Sequence, residues 1–261
     1  MAFRGLSVVV VLAVLLTSCG GDHRANTAPG GTANKATTTS ASPSVTPLTA
    51  ANVYLRARQA ESAYTALHGT VTYKQSVQAH DMELHGSFTA DLQDFGGSAI
   101  SMSLLEGADP AAELQLRAIG SDVYDKLGGD WEKISSPHPS DPQQLGMREL
   151  AGQMMSPLDP QSFTGLLAAS RDLTQRPDGH GGSVFTGTAG VYASNSTMTR
   201  YNVLLPEYYG SQGITTVRFA VGLDTHARPT SIREQLHSPA LSIDCQLTIT
   251  SYAPAKVTAP T

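Results

Sequence analysis

Two cysteines and eight histidines hold much of the reactive chemistry available to this chain. Cys19 follows two small hydroxyl residues, Thr17 and Ser18, and precedes Gly20. Small neighbours leave the backbone open to a peptidase, and a thiol placed there is a nucleophile that can take a modifying group. Cys245 reads differently. It shares parity with Leu241, Ile243, Leu247 and Ile249, so it is expected to point into a core as a small hydrophobe. An activated thiol would need an electropositive, partly exposed setting instead. His80, Asp81 and His85 are metal-ligand types, but side chains five apart on a strand project to opposite faces, and no second ligand cluster accompanies them. Glu83, Asp91 and Glu234 read as residues of polar strand faces. The chain has no G-x-S-x-G, H-E-x-x-H, P-loop, G-x-G-x-x-G or EF-hand spacing. The expectation is therefore no catalytic residue, no metal site and no cofactor.

Composition narrows the classes further. Charged residues are 15% of the chain, below the roughly 25% usual for soluble domains. The 17 basic and 22 acidic residues give a net charge of −5 without a basic stripe, which argues against a nucleic-acid partner. At 40% hydrophobic, the chain is too apolar to be disordered throughout and too polar to span a membrane many times. Two cysteines support neither a disulfide framework nor a multi-cysteine metal site.

The N-terminus reads as an address. Arg4 supplies a positive start, and the apolar run from Leu6 to Leu16 is shorter than the about 20 residues of a membrane-spanning helix. The segment Leu16-Thr17-Ser18-Cys19-Gly20 resembles the lipobox of bacterial lipoproteins. That resemblance implies a diacylglyceryl group on Cys19 and cleavage just before it. Two acyl chains are the usual requirement for stable anchoring, so the protein is expected on the outer face of the cell membrane without spanning it. Residues 1–18 are then a lipoprotein signal peptide. Residues 19–48 are the lipidated cysteine and a polar tether, rich in Gly, Ala, Thr and Ser with Pro29, Pro43 and Pro47. Such a segment has almost nothing to bury and is expected to reach roughly 30 Å as a flexible chain.

Residues 49–261 are expected to form one domain. Thr49 is a candidate N-cap for a helix with Val53, Ala57, Ala60, Tyr64 and Leu67 on one stripe, ended by Gly69. Period-two alternation then marks strands through Val71, Tyr73 and Val77; Met82, Leu84, Phe88, Ala90 and Leu92; Ile100, Met102 and Leu104; and Ala112, Leu114, Leu116 and Ala118. Short strands are expected around Val123-Tyr124 and Trp131-Ile134, on either side of a Gly128-Gly129-Asp130 turn. Later strands run near Val184, through Val217, Phe219, Val221 and Leu223, and from Leu241 to Ile249. One polar face per strand means an antiparallel sheet covered on one side. Asp141-Pro142-Gln143-Gln144 and Asp159-Pro160 both read as helix starts, the first helix with Met147, Leu150, Ala151 and Met154 on one side, the second with Leu158 and Phe163 as a hydrophobic staple. A weaker helix is expected from Asn195 to Leu204, halted by Pro206.

The order of these features resembles the LppX/LprG-type lipoproteins of actinobacteria, within the LolA/LolB-like superfamily. The similar segments are Leu67-His68-Gly69 at the end of the first helix, Val123-Tyr124-Asp125-Lys126, Trp131-Glu132-Lys133-Ile134, the hairpin from Val221 to Pro229, and the closing run Tyr252 to Pro260. The resemblance implies an α+β fold in which an antiparallel half-barrel sheet wraps a long N-terminal helix and short central helices around an apolar cavity. It also implies an acyl lipid or glycolipid as cargo. Ala227 departs from the pattern, since relatives commonly place Gly there.

Two functions follow as expectations. The first is a non-enzymatic envelope lipoprotein that binds or carries a lipid or acylated amphiphile. Phe88, Met102, Leu104, Leu116, Phe219 and Val221 then line its cavity, and Met147 and Met154 form a yielding lip, because Met adapts to varied apolar partners. The second is a partner-binding, sensor or accessory domain beside an envelope membrane protein, its interior filled by its own side chains. Taken one at a time, each of these residues is better read as ordinary core packing.

Overall fold

The structure, a computed structural model, describes residues 47–77, 80–92, 99–107, 113–134, 139–194 and 205–261. Among the described residues eleven antiparallel strands form one sheet, nine at the alternating segments and two, over 174–177 and 229–237, that the alternation does not mark. Strands β1 (Ala66–Val77), β2 (His80–Asp91), β3 (Ala99–Glu106), β4 (Glu113–Ile119), β5 (Asp122–Leu127) and β6 (Glu132–Ile134) form a first meander. Strands β7 (Thr174–Pro177), β8 (Ser183–Gly190), β9 (Thr216–Leu223), β10 (Pro229–His237) and β11 (Leu241–Ser251) form a second. Pairing of β1 with β11 joins the two, so the sheet runs β6-β5-β4-β3-β2-β1-β11-β10-β9-β8-β7 and stays open at β6 and β7. This is an α+β half-barrel. Its covered face carries the residues that the alternation selects, among them Val71, Leu84, Phe88, Ile100, Met102, Leu116, Val217, Val221 and Leu247, all buried.

Among the described residues four helices accompany the sheet: α1 (Val53–Ala60), α2 (Pro142–Met155), α3 (Pro160–Ala169) and α4 (Leu205–Ser211). Helices α2 and α3 carry the chain from one sheet edge to the other. Both start as the Asp-Pro signals require. Asp141 accepts from the Gln143 and Gln144 amides at 2.8 and 3.0 Å, and Asp159 from the Gln161 amide at 2.9 Å. Leu158 and Phe163 are both fully buried beside the second start. Helix α2 departs from the one-sided expectation, because every residue from Arg148 to Met155 is buried. Arg148 is held there by the carbonyls of Ser121 and Ile134, at 2.8 and 3.3 Å. No helix of the described residues is long and apolar enough to cross a membrane.

Other local expectations are corrected. The N-cap of α1 is Asn52, not Thr49, whose carbonyl accepts from the Asn52 and Val53 amides. The helix is short. A 3-10 turn over Glu61–Ala63 follows, Tyr64 is extended, and Leu67 and Gly69 lie in β1. Gly69 ends no helix: it sits at a register shift against β11, where a Cβ would fall 1.9 Å from the Thr248 carbonyl oxygen and 2.8 Å from the Phe88 ring. Close approach, not a left-handed backbone, is what requires glycine there. Leu48, expected to close the tether, is buried, and its carbonyl accepts from Gln175 at 2.8 Å. Pro206 lies within α4. The helix expected from Asn195 to Leu204, the strand residue Ala112 and the N-terminal segment with Cys19 lie outside the described residues.

Two hairpin turns share one device. Asp178 accepts from the His180 and Gly182 amides, and Asp224 from the His226 and Arg228 amides. The fourth position of each turn has positive φ, +92° at Gly181 and +64° at Ala227. Ala227 alone among the described non-glycine residues has that conformation, which a glycine adopts without the Cβ clash. Replacing Ala227 by Gly is expected to raise stability by about 1 kcal/mol, read as a shift in the urea midpoint at constant slope.

The C-terminal run crosses the outer face. His68 Nε2 lies 2.9 Å from the Ala253 carbonyl oxygen, Arg117 donates to the Thr258 carbonyl at 3.2 Å, and Arg228 stacks 4.5 Å from the centre of the Tyr252 ring. Elsewhere that face is charged, with Lys74–Glu83–His85 contacts on β1 and β2 and a two-point Arg233–Asp244 pair on β10 and β11.

Candidate functional site

Strand pairing decides which side chains on the covered face meet. Phe88, Met102 and Leu116 lie opposite one another on β2, β3 and β4, and Leu104 is two residues along β3 from Met102. Directly opposed side chains lie about 5 Å apart at Cβ, so these four make one apolar patch. Phe219 and Val221 belong to β9, separated from β2 by three strands, and share the same core. All six are buried. Met154 is fully buried, whereas Met147 is half-buried at the margin of the core.

Between the two apolar groups runs a polar row. Leu84 on β2 pairs with Tyr73 on β1, Tyr73 with Cys245 on β11, Cys245 with Glu234 on β10, and Glu234 with Phe219 on β9. All five are buried. Glu234 is only 3% exposed, and its Oε1 has no hydrogen-bond partner among the described residues. This overturns its reading as a residue of a polar strand face. On β10, Ile232, Glu234 and Leu236 share the covered side while Arg233 faces outward to Asp244. Glu83, by contrast, does lie on the polar outer face, where the Lys74 ammonium holds its carboxyl below the usual range.

Helices α2 and α4 bring the second layer. The Tyr73 hydroxyl donates to Gln153 of α2 and to Gln75 at 3.2 Å. Glu149, one turn earlier on α2, is also buried. Tyr209 of α4 is fully buried, and its ring lies 6.0 Å from that of Tyr208. Burial holds both carboxyls, Glu149 and Glu234, up at about 7. It also pushes the Tyr73 and Tyr209 phenols and the Cys245 thiol well above their ordinary ranges. Cys245 is therefore an inert core thiol. Sequence reasoning missed Tyr73, Glu149, Gln153 and Glu234 as a group; the available signal was a glutamate at apolar parity between Ile232 and Leu236.

A second cluster, around the buried Glu61, ties α1 to α3. Arg58 and Thr164 both contact Glu61, at 2.7 and 3.4 Å. Burial raises the Glu61 pKa, and the Arg58 guanidinium opposes that rise. This is a structural link between helices.

With this geometry in place, the solved structures can be compared. The chain is similar to two mycobacterial proteins. LprF from Mycobacterium bovis is 12% identical, with 81% of this chain and 96% of that chain covered at a TM-score of 0.48. Lipoprotein LppX from Mycobacterium tuberculosis is 15% identical, with 80% and 98% covered at a TM-score of 0.47. A LolA superfamily protein from Nitrosomonas europaea is 11% identical, with 81% and 96% covered at a TM-score of 0.33. No protein-family model and no curated protein matches the sequence.

Proposed function

We propose that this protein is an envelope lipoprotein, anchored through a lipidated Cys19, that binds a lipid or acylated amphiphile on the covered face of its half-barrel and performs no catalysis. The observation that carries this reading is the apolar covered face of an eleven-stranded sheet that remains open at both edges. An open rim lets helices and sheet separate enough to admit a chain without breaking a strand pair. Phe88, Met102, Leu104 and Leu116 supply one wall, Phe219 and Val221 a second, and Met147 and Met154 the adaptable lip. The lipobox-like segment supports placement on the outer face of the cell membrane.

One feature favours the second reading, a partner-binding or sensor domain with a filled interior. Helix α2 is buried on every side from Arg148 onward, as a helix that fills its own core would be. Native mass spectrometry of the full chain, purified from membranes in mild detergent, separates the two. Co-purifying acyl species beyond the covalent anchor are expected. A mass of protein plus anchor alone would favour the filled interior.

A further inference from the structure

We propose that Tyr73, Glu149, Gln153, Tyr208, Tyr209 and Glu234 form an interior subsite for the ammonium head of a cationic amphiphile. The proposal rests on the lipid-binding reading above and specifies which head group the site prefers. Its starting point is the Glu234 carboxyl: nearly wholly buried, turned to the covered face, and with Oε1 unpartnered among the described residues. Across the strands it faces Cys245 and Phe219, and Tyr209 of α4 feels its charge; Tyr209 in turn neighbours Tyr73 of β1, which interacts with Tyr208 and Glu149 and donates to Gln153 of α2. Two acids occupy this interior, and among the described residues no ion pair joins either of them to a cation. Arg148, the residue before Glu149, donates to the Ser121 and Ile134 carbonyls and leaves its Nε unpartnered; Arg233 pairs with Asp244 and Lys74 with Glu83.

A buried carboxylate without a countercharge is costly, and a ligand that brings the charge removes that cost. An ammonium group donates up to three hydrogen bonds, which suits an orphan carboxylate oxygen, and tyrosine faces attract a cation further. A neutral alcohol offers one donor and no charge; a carboxylate head is repelled by both glutamates. Both glutamates sit at about 7 through burial, so they ionise as pH rises from 5.5 to 8, while the phenols and Cys245 stay neutral. An aliphatic amine, with a pKa near 10.4, stays charged across that range.

The test is equilibrium dialysis of the full chain in nonionic detergent against octylamine, 1-octanol and octanoate, which share one chain length. The expected result is about tenfold tighter binding of octylamine than of octanol at pH 8, shrinking about tenfold by pH 5.5 as the carboxylates protonate. Glu234→Gln should abolish the preference for octylamine over octanol. Glu149→Gln, which leaves β10 untouched, should reduce it. If octanol and octanoate bind as well as octylamine at both pH values, the subsite is overturned and the lipid-binding reading stands. If none binds at either pH, both fall.

Discussion

Glu234→Gln is expected to gain stability over the parent protein as pH rises, by about 3 kcal/mol between pH 4 and pH 8. The glutamate titrates near 4.5 when exposed and at about 7 in the folded chain. Between those values the folded state binds more protons than the unfolded state, so the parent loses stability as pH climbs through that window. The sign is opposite to that of a salt-bridged carboxylate such as Asp244, which Arg233 holds low and which stabilises at neutral pH. Glutamine cannot ionise, so the variant keeps the losses of the same sign from Glu149, Glu61 and Asp125 but not the one from Glu234. Urea midpoints measured every half unit from pH 4 to pH 8 would show the two curves diverging. Curves that stay parallel would mean that Glu234 does not sit uncompensated in the interior.

Phe163→Ala should cost about 3–5 kcal/mol at any pH, lowering Tm by on the order of 10 °C. Phe163 lies in the first turn of α3 and is fully buried, beside the equally buried Leu158 that precedes the Asp159 cap. Helix α3 packs on α1 and on β8, so a void here loosens the lid over one half of the sheet. Leu55→Ala on α1 is the matched control, since Leu55 is 60% exposed and its loss should fall within about 0.5 kcal/mol. A Phe163→Ala variant that melts with the control would place α3 outside the cooperative core.

Much of this fold is legible in the residues because its signals are local. The two Asp-Pro helix starts need only a side chain and the amides two and three positions on. The alternation in β2, β3, β9 and β11 needs only one covered face. What was not legible depends on the partner strand. The stripe of α1 continues through Leu67 by coincidence of period, yet Ala66 to Gly69 pairs with β2 on one side and joins β11 at a register shift on the other. Strand β7 is a short edge with four exposed residues, so no apolar period marks it. Strand β10 hides its alternation because the middle inward position is Glu234. The same substitution of acid for hydrophobe that concealed the strand also concealed the polar row: a buried carboxyl looks like a surface carboxyl until its neighbours on β9 and β11 are known.

Photo-crosslinking tests lipid binding on the covered face most directly. The full chain is incubated with a long-chain fatty alcohol carrying a diazirine in mid-chain, irradiated, digested and mapped by mass spectrometry. Lipid binding on the covered face predicts labels on peptides bearing Phe88, Met102, Leu104 and Leu116 of the covered face and Met147 of α2, suppressed by excess unlabelled fatty alcohol. Labels confined to outer-face residues such as Thr70 or Gln246, or labels that excess fatty alcohol does not suppress, would contradict it.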